Sequence, residues 1–372
     1  MQKSLTADER PGHATPRRGY RELAIELRER IVSGRLAAGA RLPTKLALCK
    51  EYRVSDATMQ RALNILHTEG FIRSRGCAGT WVSDSPPNLC RVGIVFPGAA
   101  NQSLFWTAIQ RETERLGSSD PGSLQFTSYF NCRYPITGTD FERLQEDLRA
   151  SRLAGIFLLV NPAQLFSQSL LKKGGLISIS LNEQYALPGG YFVRMQHSLP
   201  RALSYLHAKG KRRVAFISAY AYISSPETLI RLAREHHLET YSKLIHFVAP
   251  QHQYTAVSIM ELMLSLPASS RPDAVCILDD HLVRHVTAGM KKTGVAIGPD
   301  QELEVVAHAN LPYVQTAHVP VTFLGYDIRG LIEQIALRVN GARAGKSFFA
   351  PAIEMNPIFA RELSCPLIET AL

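Results

Sequence analysis

The chain has 372 residues, 45% of them apolar and 20% charged, with a formal net charge of +10. A chain of this kind can bury real cores and is long enough for two or three domains, which excludes a disordered or fibrous protein. No run of about 18 uncharged apolar residues is present, so no membrane-spanning helix is expected. The opening stretch, MQKSLTADERPGHATPRRG, lacks the apolar segment of a secretory signal. It reads as a disordered polar arm over residues 1–18, and the protein is expected in the cytoplasm. The excess charge is unevenly spread: residues 1–85 hold 15 Lys and Arg against 9 Asp and Glu. A basic first quarter on a nearly neutral remainder is the electrostatic footprint of a nucleic-acid reader, provided a motif accompanies it.

In chain order, Tyr20–Ser33 has helical periodicity, with Leu23, Leu27 and Ile31 on one face and Gly34 as a stop. A Gly-rich connector ends at Pro43. Thr44 then caps a short helix, Lys45–Tyr52, expected to pack Leu46, Leu48 and Cys49. Ser55 caps a third helix, Asp56–Thr68, whose buried stripe is Met59, Ala62, Leu63 and Leu66. Asp56 sits at the positive end of its dipole. This leaves Thr58, Gln60, Arg61 and Asn64 on or near the outer side. Phe71–Ser74 and Thr80–Val82 read as two strands around Arg75–Gly79. Three helices and a hairpin within about 65 residues make a winged helix-turn-helix.

Residues 84–90 contain Pro86-Pro87 and no apolar periodicity, which predicts an extended linker. From Arg91 onward, short apolar strands (91–96, 124–130, 155–160, 176–180, 191–194, 213–218, 243–248, 274–278, 304–308) alternate with amphipathic helices. Such alternation predicts parallel sheets flanked by helices, and the length predicts two lobes, with the chain crossing near 194 and within 315–335. The expected domains are 19–83, the linker 84–90, and 91–362. The fold class is α/β: a winged helix-turn-helix plus a two-lobed domain of parallel sheets.

The stretches IVSGRLAAGARLPT, YRVSDATMQRALNILHTEGFI and GTWV resemble the DNA-binding domain of GntR-family regulators. RVGIVFPGAANQSLFW, LHAKGKRRVAFIS, RPDAVCILDDHLV and KKTGVAIGPDQELEVVAH resemble the effector domain of LacI/GalR-type repressors, which is periplasmic-binding-protein-like. The combination is similar to arabinose-responsive repressors. The resemblance implies a third helix in the major groove and a wing at the minor groove. Candidate DNA-contacting residues are Arg41, Thr44, Lys45, Ser55, Thr58, Gln60 and Arg61, with Arg73, Arg75, Gly79 and Thr80 from the wing. Three positions depart from the family: Asp56 stands where Arg is usual, Leu46 where Arg often precedes, and Cys77 where the wing usually has glycine.

Ligands of open α/β sheets bind at strand carboxyl ends. Effector candidates there are Asn101, Ser103, Phe105 and Trp106, then Asn161, Asn182, Glu183 and Tyr220, and finally Asp279, Asp280 and Asn310. Ala309 replaces a family Asp, and the Arg common after the Ala-Phe-Ile-Ser strand is absent. Asp280 is also placed to cap the His281 helix.

The six cysteines are scattered without a Cys-x-x-Cys pair, and ordinary free thiols are expected. His281 and His285 stand one helical turn apart beside two Asp, but packed or solvated histidines are the preferred reading, with no metal and no cofactor. No catalytic motif occurs in a supporting context, so no enzyme is expected. The expectation is a homodimeric repressor on a palindromic double-stranded DNA operator, controlled by a sugar or sugar derivative between the lobes. The alternative is a regulator whose sensor domain has lost its ligand and acts through dimerisation or protein contacts.

Overall fold

The computed structural model describes residues 19–118, 124–133, 138–164, 171, 175–219, 225–346 and 350–370; the expected arm over 1–18 and the candidate Tyr220 lie outside them. The chain divides into two compact units. One comprises Met1–Arg91 with Gln145–Ala154, and the other Val92–Leu144 with Gly155–Leu372.

The first unit is built on α1 (Tyr20–Val32), α2 (Lys45–Tyr52) and α3 (Asp56–Thr68), followed by β1 (Ile72–Ser74) and β2 (Thr80–Val82). Leu23, Leu27 and Ile31 of α1 pack on Leu48 and Tyr52 of α2 and on Met59, Ala62 and Leu66 of α3. Phe71, Ile72 and Val82 of the hairpin close the core. Both caps form as the residue types require. The Ala47 N–H donates to Thr44 Oγ1 at 3.2 Å, and the Thr58 N–H donates to Ser55 Oγ at 3.2 Å. α2 ends at Arg53 in the left-handed region (φ 53°), which turns the chain into α3. At the carboxyl end of α3, Glu69 accepts from Arg28 (2.5 Å) and from Arg152 (2.5 Å); Arg28 and Glu69 are largely shielded from solvent and Arg152 is half-buried. Gly79, at φ +99°, closes the wing in a conformation that side chains avoid.

Two expectations are corrected here. Leu46 is not packed but 66% exposed; the α2 core contact is made by Leu48 and Tyr52, with Cys49 partly buried against them. The Pro86-Pro87 segment is not extended throughout. Pro87 starts a single helical turn, α4 (Pro87–Cys90), at a position where its missing N–H has no partner to lose.

The second unit carries two sheets. β3 (Arg91–Val95), β4 (Gln125–Tyr129), β5 (Gly155–Leu158), β6 (Ile177–Ser180), β7 (Tyr191–Met195) and β14 (Ala352–Met355) form the first, in the order β14-β7-β6-β5-β3-β4. β8 (Val214–Ser218), β9 (Ile245–Phe247), β10 (Ala274–Ile277), β11 (Glu304–Leu311), β13 (Thr322–Asp327) and β15 (Ile358–Phe359) form the second, in the order β15-β13-β11-β10-β8-β9. β12 (Tyr313–Gln315) and β16 (Ile368–Thr370) are attached at its margin. The central pairings of both sheets are parallel.

Strand periodicity sorts the second sheet into two cores. Ala215, Ile217, Val275, Ile277, Val305 and Ala307 face one way, while Val214, Phe216, Ala274, Cys276 and Val306 face the other. Burial pushes the thiol of Cys276 up to about 12, leaving it an inert protonated group.

Helices flank the sheets: α5 (Leu104–Ser118), α6 (Thr139–Arg149), α7 (Leu199–Ala208), α8 (Pro226–Glu235), α9 (Thr255–Leu264), α10 (Val283–Lys291) and α11 (Ile328–Arg343). α9 and α10 approach closely because Gly289 has no side chain; a Cβ there would lie 2.4 Å from the Val257 carbonyl oxygen. The late strand expected to end at His308 runs on to Leu311, which brings Asn310 into the sheet. The strands β12, β15 and β16 hold only two or three residues each, too few to show a period.

The lobes are tied by one buried carboxylate. Glu112 of α5 is fully buried; it accepts from Arg329 Nε (3.2 Å) on α11, Arg115 Nε (2.5 Å) and Tyr313 Oη (3.0 Å) on β12. Burial by itself would raise its pKa, but the donors from Arg329, Arg115 and Tyr313 prevail and hold it below the usual carboxylate value. Glu112→Ala is expected to cost about 3 kcal/mol by leaving these donors without their acceptor. A lowered urea midpoint with helical content intact would show it, and an unchanged midpoint would mean that the donors reach water.

Candidate nucleic-acid interface and effector cleft

Capping by Ser55 and burial of the Met59 stripe leave Gln60, Arg61 and Asn64 exposed on α3 and Thr58 half-buried. None of these polar groups is idle. Gln60 Nε2 donates to Asn64 Oδ1 (2.9 Å), and the Arg61 guanidinium lies 5.8 Å from the Tyr20 ring. Lys45 Nζ bridges from α2 to Asp56 (3.0 Å) and to Gln60 Oε1 (3.3 Å). Asp56 therefore caps the helix dipole and also neutralises a neighbouring lysine.

On the wing, Arg73 pairs with Asp84, and Arg75 stacks 4.9 Å from the Trp81 ring. Arg41 bridges to Trp81, and its guanidinium lies against Gly79, where a Cβ would meet it at 3.4 Å. Ser55 and Thr44 spend their side-chain oxygens on caps, and Thr80 pairs with Ser74. The sequence reading missed Asp84, the acid that holds the wing arginine. Its only sequence signal was its position directly after the second strand.

The second unit contains a cleft of about 450 Å³ where strands of both lobes end. Its first-lobe wall is Gln102, Ser103, Phe105 and Trp106. The opposite wall is Gln253, Asp279, Asp280, His281, His308 and Asn310, with Ala219, Leu278 and Leu282 between. Phe105 and Trp106 are half-buried, and Trp106 meets Phe96 edge to face at 6.4 Å. Asn310 Nδ2 donates to Asp280 Oδ2 at 2.6 Å. Asp279, not Asp280, makes the cap: the His281 N–H donates to Asp279 Oδ1 at 3.0 Å.

The structure thus brings together Ser103, Phe105, Trp106, Asp279, Asp280 and Asn310. It places Asn101 in a neighbouring hollow with Phe130, Asn131 and Asp140. Asn161 accepts from the Ala163 N–H, Asn182 caps the turn at Tyr185, and Glu183 pairs with Arg194 at 3.0 Å. Gln102, Gln253 and His308 are additional lining residues. Gln253 follows β9, so the strand-end rule that found the others also covers it.

Asp279, Asp280 and His281 offer ligand atoms within 4.8 Å of one another, a grouping with room for a cation. His285 is not part of it; its ring meets Tyr254 edge to face at 5.0 Å.

Burial pushes the Asp280 carboxyl up to about 7, helped by the charge of Asp279 and opposed by Asn310. Burial also raises Asp279, and it pushes His308 down to about 4.

Residues 19–82 match the gntR family of bacterial regulatory proteins, and residues 203–357 match the periplasmic binding protein-like domain. The chain joins a GntR-type winged helix-turn-helix to a two-lobed periplasmic-binding-protein-like domain. Among curated proteins, it is 35% identical over 72 residues to the Exu regulon transcriptional regulator of Escherichia coli, covering 19% of this chain and 28% of that one. It is 38% identical over 69 residues to the mannosyl-D-glycerate transport/metabolism system repressor MngR of E. coli, covering 18% and 29%. The chain spans less than a third of the length of these relatives.

Among solved structures, a LacI family regulator from Lactobacillus casei with bound sucrose superposes with TM-score 0.51 at 17% identity. It covers 72% of this chain and 97% of that one. A LacI family regulatory protein from Chloroflexus aggregans gives TM-score 0.51 at 16% identity, over 72% and 96%.

The raised Asp280 carboxyl predicts a pH signature. Its folded pKa of about 7 lies above the ordinary 3.8, so the native state binds the proton more tightly. Its contribution to stability is therefore full below the unfolded pKa and is lost as pH rises to about 7. Asp280→Asn carries no such charge. Its melting temperature is expected to exceed the parent's at pH 8, with the gap shrinking toward pH 5. A gap independent of pH would contradict the assignment. Asp279, His281 and His308 are the other titratable groups lining the cleft.

Proposed function

We propose that this protein is a sequence-specific DNA-binding transcription regulator, a repressor, whose operator affinity is set by a small molecule held between the lobes of its second unit. The observation that carries the reading is the exposed polar face of α3, held outward by the Ser55 cap and the Met59 stripe in a basic module. Thr58, Gln60, Arg61 and Lys45 would meet bases and phosphates in the major groove, and Arg41, Arg73, Arg75 and Thr80 the adjoining backbone and minor groove. The protein works as a cytoplasmic homodimer on a palindromic site, since two-fold symmetry in the reader calls for two-fold symmetry in the DNA. The regulators and repressors matched by the reader module support this over an enzymatic role.

The cleft sets two half-buried aromatic rings opposite hydrogen-bonding groups, a lining that suits a carbohydrate or a close derivative. This supports an effector-binding sensor over one that has lost its ligand. Effector binding shifts the protein between conformations of different operator affinity by its differential affinity for them.

Selection of binding sites from random duplex DNA tests the reading. A recovered palindrome supports it, and uniform recovery at moderate salt overturns it. On the selected site, Gln60→Ala and Arg61→Ala are each expected to lose about 1–3 kcal/mol if they read bases. Unchanged affinity for both, measured by fluorescence anisotropy, would remove them from the interface. Asp56→Ala is expected to free Lys45 for a phosphate, steepening the salt dependence by roughly one contact on any sequence.

A further inference from the structure

The charge lining of the cleft narrows the effector further, on the reading that the cleft is where the effector sits. Its walls hold two carboxylates, Asp279 and Asp280, and no lysine or arginine among the described lining residues. His308 does not compensate, since its surroundings push it down to about 4 and keep it neutral.

The hydrogen-bond inventory points the same way. Asn310 spends an amide hydrogen on Asp280 Oδ2. Its Oδ1 has no partner among the described residues, although the side chain is only 4% exposed. Asp279 Oδ1 has taken the His281 N–H. What the floor still offers is a cluster of acceptors: the remaining carboxylate oxygens of the two aspartates and the Asn310 oxygen. A ligand that satisfies it must bring donors, and positive charge with them.

We infer that the effector is a polyhydroxylated amine, its ammonium group seated among Asp279, Asp280 and Asn310 and its ring carried against Phe105 and Trp106. An ammonium supplies three hydrogens to oxygen acceptors, and the aromatic faces attract a cation as well as stacking on a sugar ring. A sugar acid would bring a third carboxylate beside two others, with only the neighbouring His281 imidazole to offset it. A bare metal ion suits the cleft less well. Asp279 has already committed one oxygen to its own turn, and about 450 Å³ with an aromatic wall is far larger than an ion requires.

The test uses the full-length protein, treated with EDTA, at pH 8 and constant ionic strength. Thermal shift and isothermal titration compare matched triplets on the gluco, galacto and manno rings: the hexose, its 2-amino-2-deoxy form and its uronate. Amino-alditols are set beside their neutral alditols. Mg²⁺, Ca²⁺, Mn²⁺ and Zn²⁺ chlorides are tested alone. On whichever skeleton binds, the amine is expected to bind at least about tenfold more tightly than its neutral parent, with the uronate weakest. The isosteric double substitution Asp279→Asn with Asp280→Asn is expected to bring that preference close to one, with a cooperative melt confirming that the variant folds.

A neutral or acidic member that matches or beats its amine overturns the inference and leaves the effector-cleft reading standing. So does a preference that survives the double substitution, or a metal ion that alone raises the melting temperature and is required for sugar binding. If no member of any series shifts the melting temperature or operator affinity, the effector-cleft reading fails, and this inference with it.

Discussion

A fully buried carboxylate, Glu112, joins the two lobes of the second unit. Glu112 lies on α5, the helix whose first turn carries Phe105 and Trp106, and it is held by Tyr313 from the second sheet and Arg329 from α11. A fully buried charge is tolerable only when its lone pairs are filled, and the donors here fill them from both lobes. That requirement ties α5, which carries Phe105 and Trp106 about two turns before Glu112, to the margin of the second sheet.

The reader module handles charge differently. It is basic overall, yet several of its cations have partners: Lys45 leans on Asp56, Arg73 on Asp84, and Arg75 on the Trp81 ring. Such exposed pairs contribute little to stability. Their effect is to hold long side chains in defined places. Asp56, which departs from the residue usual in GntR-type domains, belongs to this arrangement: it aids the helix dipole and also restrains the adjacent lysine.

The floor of the cleft shows the converse. Two adjacent carboxylates are enclosed beside the Asn310 amide, a backbone N–H and the His281 ring, and burial makes them hold protons more tightly than ordinary aspartates. A protein accepts that cost at a binding site because the missing compensation can come from outside.

Sequence alone determined most of the architecture. The α3 stripe of Met59, Ala62, Leu63 and Leu66, the caps at Thr44 and Ser55, and the alternation of apolar strands with helices are local patterns, and local patterns survive in one dimension. The strand-end rule likewise placed Phe105, Trp106, Asp279 and Asp280 at one site. Tertiary structure decided which strand-end residues actually meet. Asn101, Asn161, Asn182 and Glu183 obey the same rule yet turn to their own loops or to Arg194, whereas Asn310 joins Asp280 only because β11 runs three residues further than its sequence pattern suggested. The Glu112 node, whose members stand some 200 residues apart, was invisible for the same physical reason. Burial and hydrogen-bond partnership between distant segments depend on how two lobes close on each other, and no periodicity along the chain records it.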